Sequence, residues 1–188
     1  KKRKTGVFVP IRHVVMNAMD KIEKASKSDG NVTGIATGFI DLDFRTAGMQ
    51  PSDLILVAAR PSMGKTAFVL NIAQHVAFKL NQTVAIFSLE MSKEQLVHRW
   101  FSLDSRVDSQ HLRTGNLSDA EWEKLIESAG VIGQSNLIID DTPGISISEL
   151  RSKCRKYKLE HDLKLIKIDY LQLKCASGRR KYSRKQDN

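Results

Sequence analysis

Apolar positions along the chain recur in two periods, and the switches between them outline the elements. Over residues 11–26, Ile11, Val15, Ala18, Met19 and Ile22 return every three or four positions while Lys21, Glu23, Lys24 and Lys27 fall off that stripe, which predicts an amphipathic helix. Residues 28–31 (SDGN) close it as turn formers do. Four runs read instead as short buried strands: 54–59 (LILVAA), 83–88 (TVAIFS), 136–141 (NLIIDD) and 163–169 (LKLIKID). Helical stretches lie between them. Residues 67–80 are apolar nearly all round, as in a helix buried against a sheet. Three further helices are announced by a serine three residues before Gln95, Glu121 or Glu149, the spacing at which hydroxyl and side chain each satisfy the other's backbone N–H. The glycine-bearing stretch 33–50 reads as an entry loop with one short helix around 39–42.

Strands alternating with helices of this length predict an α/β fold: a mainly parallel sheet with helices on both faces. Ligands in such sheets sit at the carboxyl ends of the strands. Glu90, Asp141 and Asp169 all fall at that edge.

The run at 54–59 stops at a loop, Ala59-Arg60-Pro61-Ser62-Met63-Gly64-Lys65-Thr66, and the helix follows at once. A glycine, lysine and hydroxyl between a strand and a helix form a phosphate cradle: backbone N–H groups point into the loop, the helix N-terminus adds about half a positive charge, and the lysine adds a full one. Ala59 stands where the usual G-x-x-x-x-G-K-[ST] pattern has its first glycine. Hydrolysis of a nucleotide held there needs a strand-end carboxylate for magnesium and another that orients water. Asp140 or Asp141 competes with Asp169 for the first role, and the longer strand slightly favours Asp169. Glu90, emerging from the strand directly after the loop's helix, is the candidate for the second; the plainer reading is a polar residue closing a strand.

Composition narrows the setting. Hydrophobic residues make up 41% and charged residues 27% of the 188, as in a soluble globular protein. No apolar run approaches the roughly 18 residues of a membrane span, and the apolar piece after the basic start is too short, and too broken by Pro10 and Arg12, for a signal peptide. Cys154 and Cys175 have no metal-binding or redox spacing, so a reducing, cytoplasmic setting is expected. The five histidines are scattered, and Trp100, Trp122, Met16, Met19 and Met49 read as packing. The net charge of +9 is not spread evenly. Residues 1–12 carry five basic and no acidic side chains, and residues 174–188 six basic and one acidic, leaving a nearly neutral body. Two basic ends suit a polyanion contact, or are solvated tails. The helix at 11–27 either packs on its own domain or docks onto another subunit.

Beyond the loop, residues 33–38 (TGIATG), 46–54 (TAGMQPSDL), 58–66 (AARPSMGKT), 87–92 (FSLEMS), 113–115 (RTG) and 168–173 (IDYLQL) resemble, in order, the motifs of the bacterial replicative hexameric helicases, the DnaB family. The resemblance implies a RecA-like P-loop ATPase domain over 33–173, a basic tail and linker helix over 1–32, and a basic tail over 174–188. It implies that Ala59 is the family's own variant and that the loop from Ala59 to Thr66 holds ATP, with Lys65 on the β/γ phosphates. Thr66 and Asp169, rather than Asp141, would hold Mg2+, Glu90 would be catalytic, and residues 11–27 would dock on a neighbouring subunit. ATP hydrolysis would then drive movement along single-stranded DNA and unwinding in replication. A hexameric ring, a primase and a helicase loader are the implied partners. Arg179, Arg180 and Lys181 fall where the family has a loop near the DNA channel. The family's later segments, including its arginine finger, lie beyond this sequence, so weak hydrolysis is expected of this chain alone. The rival readings are a nucleotide-binding module that does not hydrolyse, and a recombinase-type or signalling ATPase on the same fold.

Overall fold

The computed structural model describes residues 8–27, 32–60 and 62–169. The chain divides into two compact units, 1–54 and 55–188.

In the first unit, α1 (Ile11–Ser26) has the predicted bounds. All its residues are exposed, so the packing expected of Met16 and Met19 is not found among the described residues. The entry stretch is more ordered than a loop. Ile35 and Met49 form an antiparallel bridge, and α2 (Ile40–Thr46) lies between the two bridged residues in the chain. The buried Asp43 carboxylate accepts from the Thr37 N–H and hydroxyl, both at 2.7 Å, and from the Gly38 N–H at 3.1 Å. It thereby closes the turn that leads into α2.

The second unit runs α3 (Lys65–Gln74), a π-helical turn (His75–Lys79), β1 (Val84–Ser88), α4 (Lys93–Ser105), α5 (Ser109–Thr114), α6 (Asp119–Gln134), β2 (Leu137–Asp140), α7 (Ile147–His161) and β3 (Leu165–Asp169). The strands pair in the order β2-β1-β3, both pairs parallel, as the alternation predicts. All five residues of β1, the central strand of the three, are buried. Ala85 and Phe87 pack with Ile168, Leu150, Cys154 and Tyr157 on the α7 side. Val84, Ile86 and Ser88 point the other way, since side chains alternate along a strand. Helix α3 contributes Leu70, Ile72 and Ala73 to the core and is tied to α4. The buried Trp100 donates its indole N–H to the Leu70 carbonyl at 3.4 Å, and Gln74 donates to Asp104 at 3.0 Å.

The serine signals mark all three helix starts, and two of them form the full reciprocal box. Ser92 with Gln95 and Ser118 with Glu121 form reciprocal capping boxes, while Ser146 accepts from the Glu149 N–H. Each such cap contributes about 1 kcal/mol.

Two further expectations fail. Trp122 is 47% exposed on α6, so only Trp100 is a core tryptophan. Residues 54–59 form no strand, and Ile55 and Leu56 are 55% and 71% exposed. A strand exists through its ladder, and among the described residues no strand pairs with this run. Its composition shows a need for burial and supplies no partner.

Candidate nucleotide site

Among the predicted site residues, those from Ser62 to Thr66 are placed by α3. Gly64 stands at the helix N-cap with φ 82°, and Ser62 is also left-handed at φ 64°. The Met63 N–H donates to the Arg60 carbonyl at 3.3 Å and the Phe68 N–H to the Gly64 carbonyl at 2.9 Å, so the chain turns tightly and enters the helix without a spare residue. A Cβ at Gly64 would meet nothing within 4 Å. The glycine is needed for its backbone angle, which costs an L side chain about 1–2 kcal/mol, and not for space.

The N-terminus of α3 has no side-chain cap and no acidic residue in its first turn, in contrast to α4, α6 and α7. An uncapped helix start with a lysine in its first turn has the backbone donors and positive charge that suit an anion. Lys65 and Thr66 are half-buried at the helix start, while Ser62, Met63 and Gly64 are exposed. Ala59 and Arg60 lie in the exposed segment that joins no strand, and Pro61 lies outside the described residues.

The two carboxylates come together through the β1–β3 register. Ser88 is opposite Asp169, and the Leu89 N–H donates to the Asp169 carbonyl at 2.8 Å, so Glu90 leaves the sheet just past Asp169. Ser88 fixes its departure. The buried hydroxyl donates to the Met91 carbonyl at 2.7 Å and accepts from the Met91 N–H at 3.2 Å, closing a turn that presents an exposed Glu90. Sequence reasoning passed over Ser88, although a hydroxyl ending an apolar strand two residues before an exposed acid is a readable signal.

Asp140 and Asp141 have other partners. Asp140 accepts from Lys153 at 2.7 Å and from the Thr142 N–H at 3.1 Å. Burial pushes its carboxyl up, but these donors outweigh burial and leave its pKa below the ordinary range. Asp141 accepts from the Lys93 N–H at 3.3 Å, at the start of α4. Both hold helix to strand. Asp169 is paired as well, with Lys167 Nζ at 3.2 Å. This lysine was missed by sequence reasoning, although it is a charge inside the apolar run before Asp169.

Among the described residues no cluster of three or more His, Cys, Asp and Glu side chains could hold a metal by itself. A hydroxyl at Thr66 and a carboxylate at Asp169 are the hard oxygen donors that suit magnesium, which keeps waters and takes its other ligands from phosphates. Arg179, Arg180 and Lys181 lie outside the described residues. No helix among those described is long and apolar enough to cross a membrane.

Comparison with known proteins agrees with the motifs. Residues 34–187 match the DnaB-like helicase C terminal domain. The chain is 52% identical over 186 residues to the replicative DNA helicase DnaC of Bacillus subtilis, and 50% identical to the replicative DNA helicase DnaB of Geobacillus stearothermophilus. Each match takes in 99% of this chain and 41% of the relative, so the chain spans about two fifths of their length. Among solved structures, one described as an ATPase domain superposes with a TM-score of 0.82 at 32% identity, covering 92% of this chain and 62% of that one. A DnaB-like replicative helicase, described with its interactions with primase, gives 0.78 at 32% identity over 94% of this chain and 43% of its own. The α/β P-loop fold and the helicase resemblance both stand.

Proposed function

The chain belongs to the DnaB-like helicase C-terminal domain family, and on that premise we propose that it is the ATP-binding motor segment of a replicative DNA helicase. One observation carries the reading: the uncapped N-terminus of α3, with Lys65 and Thr66 in its first turn, belongs to the same unit as the sheet edge from which Glu90 and Asp169 emerge. Lys65 binds the β/γ phosphates. Thr66 and Asp169 are the residues that would hold magnesium, which supplies charge neutralisation between those phosphates when bound. Glu90 orients the attacking water from its Ser88-closed turn. The same residues serve a non-hydrolysing module equally well up to Glu90, and the exposure of that carboxylate at the edge favours hydrolysis.

We extend the reading to assembly. Helix α1 exposes Ile11, Val15, Met19 and Ile22 along one stripe, and a neighbouring copy of the chain is the natural cover, giving a ring that moves on single-stranded DNA. Primase and a helicase loader are further partners on this reading.

The test is nucleotide binding and turnover by the purified chain with Mg2+, with and without single-stranded DNA. Lys65→Ala should weaken ATP binding by at least about tenfold through loss of a full charge at the phosphates. Glu90→Gln should leave binding intact and remove turnover. Equal binding by Lys65→Ala and the parent chain would refute the site.

A further inference from the structure

Strand β3 carries a charge where its pattern calls for an apolar side chain. Leu165, Lys167 and Asp169 share one face of the strand, the face away from Ile168 and the α7 cluster. The Lys167 side chain is 5% exposed and that of Asp169 9%. An ammonium so deeply placed is costly unless paired and hydrogen-bonded. Asp169 is its paired carboxylate among the described residues, at 3.2 Å. Burial pushes the Lys167 pKa down, Asp169 opposes that shift, and the charges of Arg99 and Lys65 add to it. The carboxylate that the proposed function gives to magnesium thus already has a cation beside it within the strand, and Arg99 and Lys65 act on that cation.

We propose that Lys167 is a resident counter-ion of Asp169, which holds that carboxylate in the metal-free protein and sets how strongly nucleotide binding depends on a divalent cation. The proposal rests on the assignment of Asp169 to magnesium. A metal that takes Asp169 meets an ammonium already on Oδ2, and the repulsion between the two cations weakens that pair, so the metal's contribution to holding the nucleotide is partly offset. Lys167 is a positioning residue in this scheme: it touches Asp169 and acts on the nucleotide through it. The consequence is a protein that binds nucleotide through Lys65 and the α3 N-terminus with little help from the metal.

The experiment reads binding, not turnover. Fluorescence anisotropy of N-methylanthraniloyl-ADP on the whole chain gives its affinity with excess Mg2+ and with excess chelator. In the parent chain the two affinities should lie within about threefold of each other, and Lys167→Met should widen the ratio to at least about tenfold, because the charge competing for Asp169 is gone. Lys167→Gln keeps a donor for the carboxylate without the charge and should move the ratio the same way, which guards against misfolding of the methionine variant. Thermal melting adds a second readout: both variants should melt lower than the parent with chelator and recover with Mg2+ and ADP. A ratio unchanged from the parent in both variants overturns the counter-ion role. Variants that stay unfolded with Mg2+ and ADP overturn it too, since the metal then does not replace the ammonium. Adding Asp169→Asn to Lys167→Gln should erase the gained dependence. If it persists, the metal sits on another carboxylate, and the failure belongs to the Asp169 assignment.

Discussion

A single backbone angle decides what residue 64 can be. Gly64 adopts φ 82° with open space where a side chain would project, so Gly64→Ala meets no clash and bears only the cost of the left-handed conformation. We expect it to lower stability by about 1–2 kcal/mol, measured by urea denaturation, and to weaken nucleotide binding by more than that loss predicts, because the turn aims the α3 N-terminus. A stability loss with unaltered binding would show that the turn does not shape the cradle. The glycine itself was legible from the Gly-Lys-Thr order. The serine before Glu90 left a readable trace as a hydroxyl closing an apolar strand, but its role comes from the hydrogen-bonded turn with Met91, which only the structure shows. Lys167 was visible as a charge in an apolar run, but only the structure of β3 shows that it shares a face and a partner with Asp169.

Elements show the same division between what pattern carries and what pairing carries. Helices α1, α4, α6 and α7 were readable with their starts, because amphipathic period and caps are local. The run at 54–59 was misread because a strand is not local: its apolar residues are there, and its ladder partner is not among the described residues. Ion pairs between elements were equally hidden. Lys153 on α7 reaches Asp140 at the end of β2 at 2.7 Å and also donates to Thr142 at 3.1 Å. Lys153→Met, which keeps the apolar stem, should cost about 1–2 kcal/mol at neutral pH. The Asp140 pKa is lowered from its ordinary 3.8 in the folded chain, so its share of the stability is present above that value and is lost as pH falls through the lower folded one. The Lys153 pKa is raised from 10.5, so that share persists below 10.5 and is lost as pH rises through the raised value. The gap between parent and variant should therefore be fully open between 3.8 and 10.5, and should narrow as pH falls below the first value or rises above the second. A constant gap across acid denaturation curves would mean the bridge contributes nothing. For α1, Met19→Asp places a charge in the exposed stripe, and light scattering should show smaller assemblies with α1 helicity retained. Unchanged mass would remove α1 from any subunit contact.

On the scale of the whole chain, charge carries the last step. The body is nearly neutral, and the net positive charge lies in residues 1–12 and 174–188, so charge favours these two stretches over the sheet for meeting a polyanion. Arg179, Arg180 and Lys181 lie outside the described residues, and charge alone gives them this role. If these three pair with phosphates of single-stranded DNA, binding releases counter-ions, and log affinity falls with log salt by about 0.7 for each phosphate neutralised. Replacing all three with glutamine should flatten that slope by about 2, while nucleotide affinity, which we propose rests on Lys65 and the α3 N-terminus, should stay as it was. The pair of measurements separates two kinds of cation on one chain: basic residues whose contacts with phosphate are screened by salt, and a buried lysine whose charge acts on a single carboxylate. Titrating DNA affinity from about 50 to about 300 mM KCl for the parent, the triple-glutamine variant and Lys167→Gln makes the contrast direct. The first substitution should change the slope, and the second should leave it unaltered. An unchanged slope in the triple variant would place the DNA contact elsewhere on the protein.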